Sequence, residues 1–242
     1  MRRLLDMIFC ERCALCGEPV EYGRASPFCR ICQVKWESEK FQLRSFDGEL
    51  AAFDFPSVDS GRPPMRVIST VAYDPTNHDT AASGLIFKLK HNATRRVIDF
   101  IADELISLLV SALPDMRDGH DKSEPIVTYV PRRRESIGQY GYDHMKLCAQ
   151  AVAKRMKLRC IELLKRRGSS SEQKQLGRRD RIENATTSIY INRNYNCNGK
   201  TIILLDDIVT TGASLNACTE LLYGSGARLV IPAALAVTRR KL

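Results

Sequence analysis

No apolar run among the 242 residues approaches the ~20 needed to span a bilayer, which argues against a membrane-inserted protein. The opening stretch from Met1 to Phe9 begins like a signal peptide, yet Asp6 interrupts it and no small-residue cleavage site follows, so a cytoplasmic location is expected. Histidine is scarce. His78, His91, His120 and His144 stand apart without metal-ligand spacing, and surface or loop positions are expected for all four. No Ser/His/Asp or Cys/His grouping is apparent, so nothing indicates catalysis through an activated nucleophile. Internal repeats are absent, and the length suits one α/β core with a small accessory module. Acidic residues are outnumbered, 28 against 37 basic, for a net charge of +9. Between Pro131 and Arg181 fifteen Lys or Arg face five Asp or Glu, so this window alone accounts for the excess. Such a field favours polyanions, whether pyrophosphate or nucleic acid, unless it is simply a solvated basic face.

Cysteine, by contrast, is plentiful: nine would be unusual as disulfides in the expected cytoplasmic setting, so metal binding is the leading explanation for those that cluster. Residues 10 to 32 hold five, and Cys13-x-x-Cys16 and Cys29-x-x-Cys32 have the spacing of two knuckles closing one tetrahedral zinc site. Cys10-x-x-Cys13 has the same spacing, so Cys10 is an alternative to Cys16. Four thiolates leave no open coordination position, so the expected role is structural. Cys148, Cys160, Cys197 and Cys218 read as core thiols.

The most informative stretch runs from Thr201 to Ser214. Ile202 to Leu205 form an unbroken apolar run, as in a central parallel strand covered on both faces. Asp206 and Asp207 are expected where that strand emerges, the end at which open α/β sheets bind ligands. Thr210-Thr211-Gly212 then makes a turn of small residues opening a helix with Leu215, Leu221 and Leu222 on its apolar face. A helix start offers unpaired N–H groups and the positive end of its dipole to a phosphate. Phosphate alone would not need two aspartates. A carboxylate pair beside a phosphate cradle suits a sugar phosphate, accepting hydrogen bonds from vicinal hydroxyls directly or through a magnesium shell. A P-loop reading of Gly199-Lys200-Thr201 fails, because position 194 is Asn and Lys200-Thr201 leads into a strand.

Elsewhere, residues 41 to 64 show no periodicity and contain helix breakers, marking 46–64 as a linker, and across 41–64 Phe41, Phe46, Phe53 and Phe55 could pack. Strands are expected at Met65 to Tyr73, Pro125 to Val130, Cys160 to Leu164, Ser188 to Ile191 and Arg228 to Val237, all completing one sheet with 201–205. Helices are expected at Ser83 to His91, Arg95 to Leu113 and Tyr142 to Met156. Lys88 and Lys90 are expected as exposed helix lysines or phosphate contacts. Arg132 and Arg133, at a strand end, are suited to bidentate contact with pyrophosphate. Lys165 to Thr187 reads as a long basic, serine-rich loop.

The string from Ile202 to Ser214 resembles the PRPP-binding loop of type I phosphoribosyltransferases. Together with the knuckle pair, Pro131-Arg-Arg, Gly141-Tyr-Asp-His144 and Gln173-x-x-Leu176 to Asn184, the chain resembles the ComF family of competence proteins. That resemblance implies a parallel α/β phosphoribosyltransferase-like domain (65–242) after a zinc-finger module (1–45). It implies that Asp206 and Asp207 hold ribose hydroxyls as the catalytic pair, that Val209, Thr210, Thr211, Gly212, Ala213 and Ser214 wrap the 5-phosphate, and that Arg132 and Arg133 meet pyrophosphate. Gln173 and Arg181 would lie on a mobile loop, with structural zinc and PRPP-bound magnesium as cofactors. The implied role is cytoplasmic DNA uptake beside a helicase-like partner, with single-stranded DNA a partner; homo-oligomerisation is compatible but unspecified. Two other readings stand: an active phosphoribosyltransferase with an unknown acceptor, and a DNA-binding accessory whose sugar-phosphate pocket is not catalytic. The family's usual pattern has Arg and Asn-Gln where this chain has Tyr140 and Asp143-His144.

Overall fold

The computed structural model describes residues 11–21, 23–43, 52–55, 64–112, 124–167 and 188–238. Six strands form the main sheet: β1 (Ala52–Phe55), β2 (Met65–Tyr73), β3 (Ile126–Tyr129), β4 (Arg159–Cys160), β7 (Thr201–Val209) and β8 (Leu229–Thr238). Their order is β1-β2-β8-β7-β3-β4, and every pairing is parallel except β1 with β2. The helices are α1 (Arg30–Leu43), α2 (Ala81–His91), α3 (Arg95–Ala112), α4 (Arg134–Tyr140), α5 (His144–Met156) and α6 (Ala213–Gly224). The architecture is thus the α/β class expected, a mostly parallel sheet flanked by helices.

β7 shows why the apolar run is unbroken. Alternation sends Ile203 and Leu205 into the core shared with α2, α3 and α5, and Ile202 and Leu204 into the core under α6. All four are fully buried, and each such side chain contributes about 1.5–3 kcal/mol.

Several sequence expectations are corrected. β7 continues through Asp206 and Asp207 to Val209, paired only with β8 because β3 stops opposite Leu205. The aspartates therefore sit on the strand itself, overhanging a shorter neighbour. Within the stretch read as linker, Ala52–Phe55 is an edge strand antiparallel to β2, and Phe55 is buried; a four-residue strand is too short to show periodicity. Phe46 lies outside the described residues. Ile189–Ile191 (β6) does not join the main sheet but pairs antiparallel with β5 (Leu164–Arg166) in a separate ribbon. The short helix α4 was not expected; it ends at Gly141, whose φ of 77° is left-handed.

The cysteine module docks on the sheet domain and shares its core. Trp36 of α1 is fully buried between Phe28 and Phe100, and its Nε1 donates to Glu104 at 3.0 Å. Glu39 accepts from the first amides of α2, Ala81 at 2.7 Å and Ala82 at 2.9 Å. A Cβ on Gly84 would stand 2.5 Å from the Ala14 carbonyl oxygen, so glycine lets the helix touch the first knuckle.

Candidate functional site

At the carboxyl end of β7 a cavity of roughly 270 Å³ is lined by Arg132, Arg133, Asp206, Asp207 and the turn 208–214. The structure thus brings the expected carboxylates, turn and arginines around one space; Gln173 and Arg181 lie outside the described residues. Gly212 makes the turn possible. Its φ of 76° is left-handed, and a Cβ there would meet Phe55 Cδ1 at 2.5 Å. It caps α6, whose first-turn N–H groups lack intrahelical acceptors and border the cavity.

Strand alternation separates the two aspartates. Asp207 continues the side of Ile203 and Leu205, where Nε2 of His144 lies 2.9 Å and Nζ of Lys90 3.5 Å from its Oδ2. Its Oδ1 accepts from Ile208 N at 2.8 Å. Burial pushes this carboxyl up, but the His144 hydrogen bond and the charges of Lys90 and Arg132 outweigh it and hold Asp207 well below the usual range. Asp206 continues the opposite side. Burial and then the neighbouring Asp207 charge push it well above the ordinary carboxylate value.

Three contributors escaped sequence reading. His144, expected at the surface, is wholly buried and lies against the Arg132 guanidinium as well as Asp207. Lys90 is not a free helix lysine: its Nζ pairs with Asp207 Oδ2. Arg166 of the ribbon lines the cavity, held by Nε to Ser188 Oγ at 2.9 Å and by Nη1 to the Pro131 carbonyl at 3.4 Å. The sequence signal that named His144 was the segment Gly141-Tyr-Asp-His144, which carries no sign of its burial. Tyr142 donates from its hydroxyl to Leu89 O and accepts from Ala93 N.

The four knuckle sulfurs of Cys13, Cys16, Cys29 and Cys32 lie within 4.8 Å of one another, with Cys16 and Cys29 at 3.7 Å. With Zn–S near 2.3 Å, tetrahedral geometry places sulfurs about 3.8 Å apart, so the set fits a four-thiolate metal such as zinc. Burial pushes the Cys13 thiol up, but backbone N–H groups of Cys29, Cys16 and Leu15 outweigh this and bring it down to about 7. Burial and the three neighbouring thiols push Cys32 up. Cys10 lies outside the described residues.

Residues 147–241, less than half of the chain, match the phosphoribosyl transferase domain family. No curated protein matches the chain. Among solved structures, adenine phosphoribosyltransferase from Saccharomyces cerevisiae is 16% identical, covering 86% of this chain and 89% of that one, with a TM-score of 0.42. Hypoxanthine phosphoribosyltransferase from Staphylococcus aureus is 15% identical, over 60% and 68%, at 0.33. Glutamine PRPP amidotransferase from B. subtilis is 12% identical at 0.37; the match covers 60% of this chain but only 29% of that enzyme. At such scores these likenesses carry no argument; the family match itself spans residues 147–241, within the mostly parallel α/β sheet. Among the described residues no helix is long and apolar enough to cross a membrane.

Proposed function

We propose that the cavity binds PRPP, with Asp206 and Asp207 facing the ribose hydroxyls, Val209 to Ser214 around the 5-phosphate, and Arg132 and Arg133 toward the diphosphate. The observation that carries this is the convergence of a carboxylate pair, a helix N-terminal turn and strand-end arginines on one space. Magnesium, arriving with PRPP, supplies charge neutralisation, and the hard carboxylate oxygens of the pair suit it. Any transfer from C1 would draw on this chain's residues for orientation and electrostatic stabilisation, so it needs no protein nucleophile. Titration calorimetry with PRPP and magnesium tests the reading: saturable binding to the wild type, lost in Asp206→Ala with Asp207→Ala, is expected. Equal heats from both proteins would contradict it. A screen for pyrophosphate release across bases, amines and nucleic acids then decides whether binding leads to turnover.

The wider reading places the chain in cytoplasmic DNA uptake during natural transformation, beside a helicase-like partner, its zinc module (1–45) preceding the transferase-like domain (65–242). What supports a DNA contact is a second groove of about 720 Å³ beside the ribbon. Alternation along β5 points Arg166 into the first cavity, while Lys165 and Arg167 line the second with Arg193. The Arg167 guanidinium stands 5.6 Å from the ring centre of the exposed Tyr190, charge beside a stacking surface. Affinity for single-stranded DNA should fall steeply with salt and drop in Arg167→Glu; a flat salt response would count against it.

A further inference from the structure

Lys90 stands in the last turn of α2, and its Nζ lies 3.5 Å from Oδ2 of Asp207. That carboxylate lines the cavity, and a negative wall repels a phosphate-bearing ligand unless a cation offsets it. With Nζ beside Oδ2 and Ile208 N donating to Oδ1 at 2.8 Å, the carboxylate is both oriented and partly neutralised. Lys90 therefore acts on a ligand through Asp207, for as long as α2 keeps its place.

A helix of 11 residues is marginal on its own, so its position is set by what it packs against. At the start of α2, Glu39 of α1 accepts from Ala81 N at 2.7 Å and Ala82 N at 2.9 Å, a carboxylate on a helix N-terminus. On its flank, Gly84 lies against Ala14 and Leu15, the two residues between Cys13 and Cys16. Just past its end, Glu11 accepts from Thr94 Oγ1 at 3.3 Å and lies 3.8 Å from Arg96 Nε. Leu85, Ile86 and Leu89 share one core with Cys13 and Cys32. Tyr142 holds the same helix end from the other side, through Leu89 O and Ala93 N. The cysteine module thus meets the helix that carries Lys90 at its start, its flank and its end.

We propose that Lys90 is a positioning residue of the pocket and that the cysteine module sets its place, gripping α2 through Glu11, Gly84 and Glu39. The ligand part of this rests on the sugar-phosphate reading above; the grip on α2 does not.

Two measurements on the full chain test it. Amide hydrogen exchange without ligand compares wild type with Glu11→Gln combined with Glu39→Gln. Exchange in α2 should quicken, while α6, packed into the other core across the sheet, stays as in wild type. Unchanged exchange in α2, or equal quickening in α6, overturns the grip. Calorimetry with magnesium-PRPP then runs a double-mutant cycle. Lys90→Met should weaken binding about tenfold. The glutamine pair should weaken it about threefold or more when Lys90 is present and add nothing in the Lys90→Met background. A folded Lys90→Met that binds like wild type overturns the positioning role. A glutamine pair that weakens binding equally in both backgrounds, or in neither, overturns the route through Lys90. If the pair prevents folding, Glu39→Gln alone is read in the same way. A wild type that binds no PRPP overturns the sugar-phosphate reading instead, and the exchange result still decides the grip.

Discussion

Asp206 and Asp207 are consecutive on β7 and both line the cavity, yet their partners differ. Asp207 reaches His144 and Lys90, whereas Asp206 faces the α6 side, where its charge acts on Cys218 and Arg166. The pair is therefore not two copies of one group. One carboxylate is held by cations and a hydrogen bond, while the other is left to ionise against burial and its neighbour's charge.

This asymmetry gives the two isosteric substitutions opposite effects on stability. Asp206 is raised, so its contribution to the fold is present at low pH and lost as pH rises through its folded value. Asp206→Asn removes a buried charge that is poorly compensated and should raise the melting temperature near pH 8 by a few degrees, about 1 kcal/mol. Asp207 is depressed, so its contribution is present above the usual carboxylate value and lost as pH falls through its folded value. Asp207→Asn should therefore lower stability at pH 7 by about 2 kcal/mol. Thermal unfolding of both variants checks the signs; equal shifts would show that the environments do not differ as described.

Binding should also be linked to protons. For a ligand that needs Asp206 ionised, affinity should rise with pH through that group's elevated value, and binding should release a proton. Calorimetry in two buffers of different ionisation enthalpy measures this directly. Identical heats in both buffers would mean that Asp206 does not ionise on binding.

Gly212 combines a left-handed φ of 76° with a Cβ position 2.5 Å from the Phe55 ring. Gly212→Ala should cost about 1–3 kcal/mol through backbone strain and overlap, and should displace either the turn or the edge strand β1. Phosphate or PRPP affinity should fall with it. A variant with unchanged melting temperature and affinity would show that the turn relaxes without consequence.

The chain's one tryptophan reports on the metal module. Trp36 packs between Phe28, next to a knuckle cysteine, and Phe100 of α3. Removing the metal with a chelator, or changing Cys13→Ser, should loosen the knuckles and shift Trp36 emission to the red as water reaches the indole. Elemental analysis should find one equivalent of zinc per chain beforehand. Unchanged emission on metal loss would mean that packing alone holds α1 in place.

Much of this was legible because the signals were local. The run Ile202–Leu205 announces a strand covered on both faces, Thr210–Gly212 announces a helix start, and the paired cysteine spacings announce converging thiols. What the sequence hid depends on contacts between distant segments. His144 is 63 positions from Asp207, and nothing in its neighbourhood says that α5 will press it beneath β7. The ribbon escaped because a three-residue strand carries no period by which to choose between the main sheet and a partner of its own. The edge strand at 52–55 was hidden for the same reason.

The central claim is that one pocket receives both ends of PRPP, and a crystal structure of the chain with magnesium-PRPP tests it most directly. The account expects the 5-phosphate within hydrogen-bonding distance of the Gly212 to Ser214 amides and the diphosphate against Arg132 and Arg133. A PRPP molecule seated elsewhere, or a pocket that stays empty at saturating ligand, would contradict it.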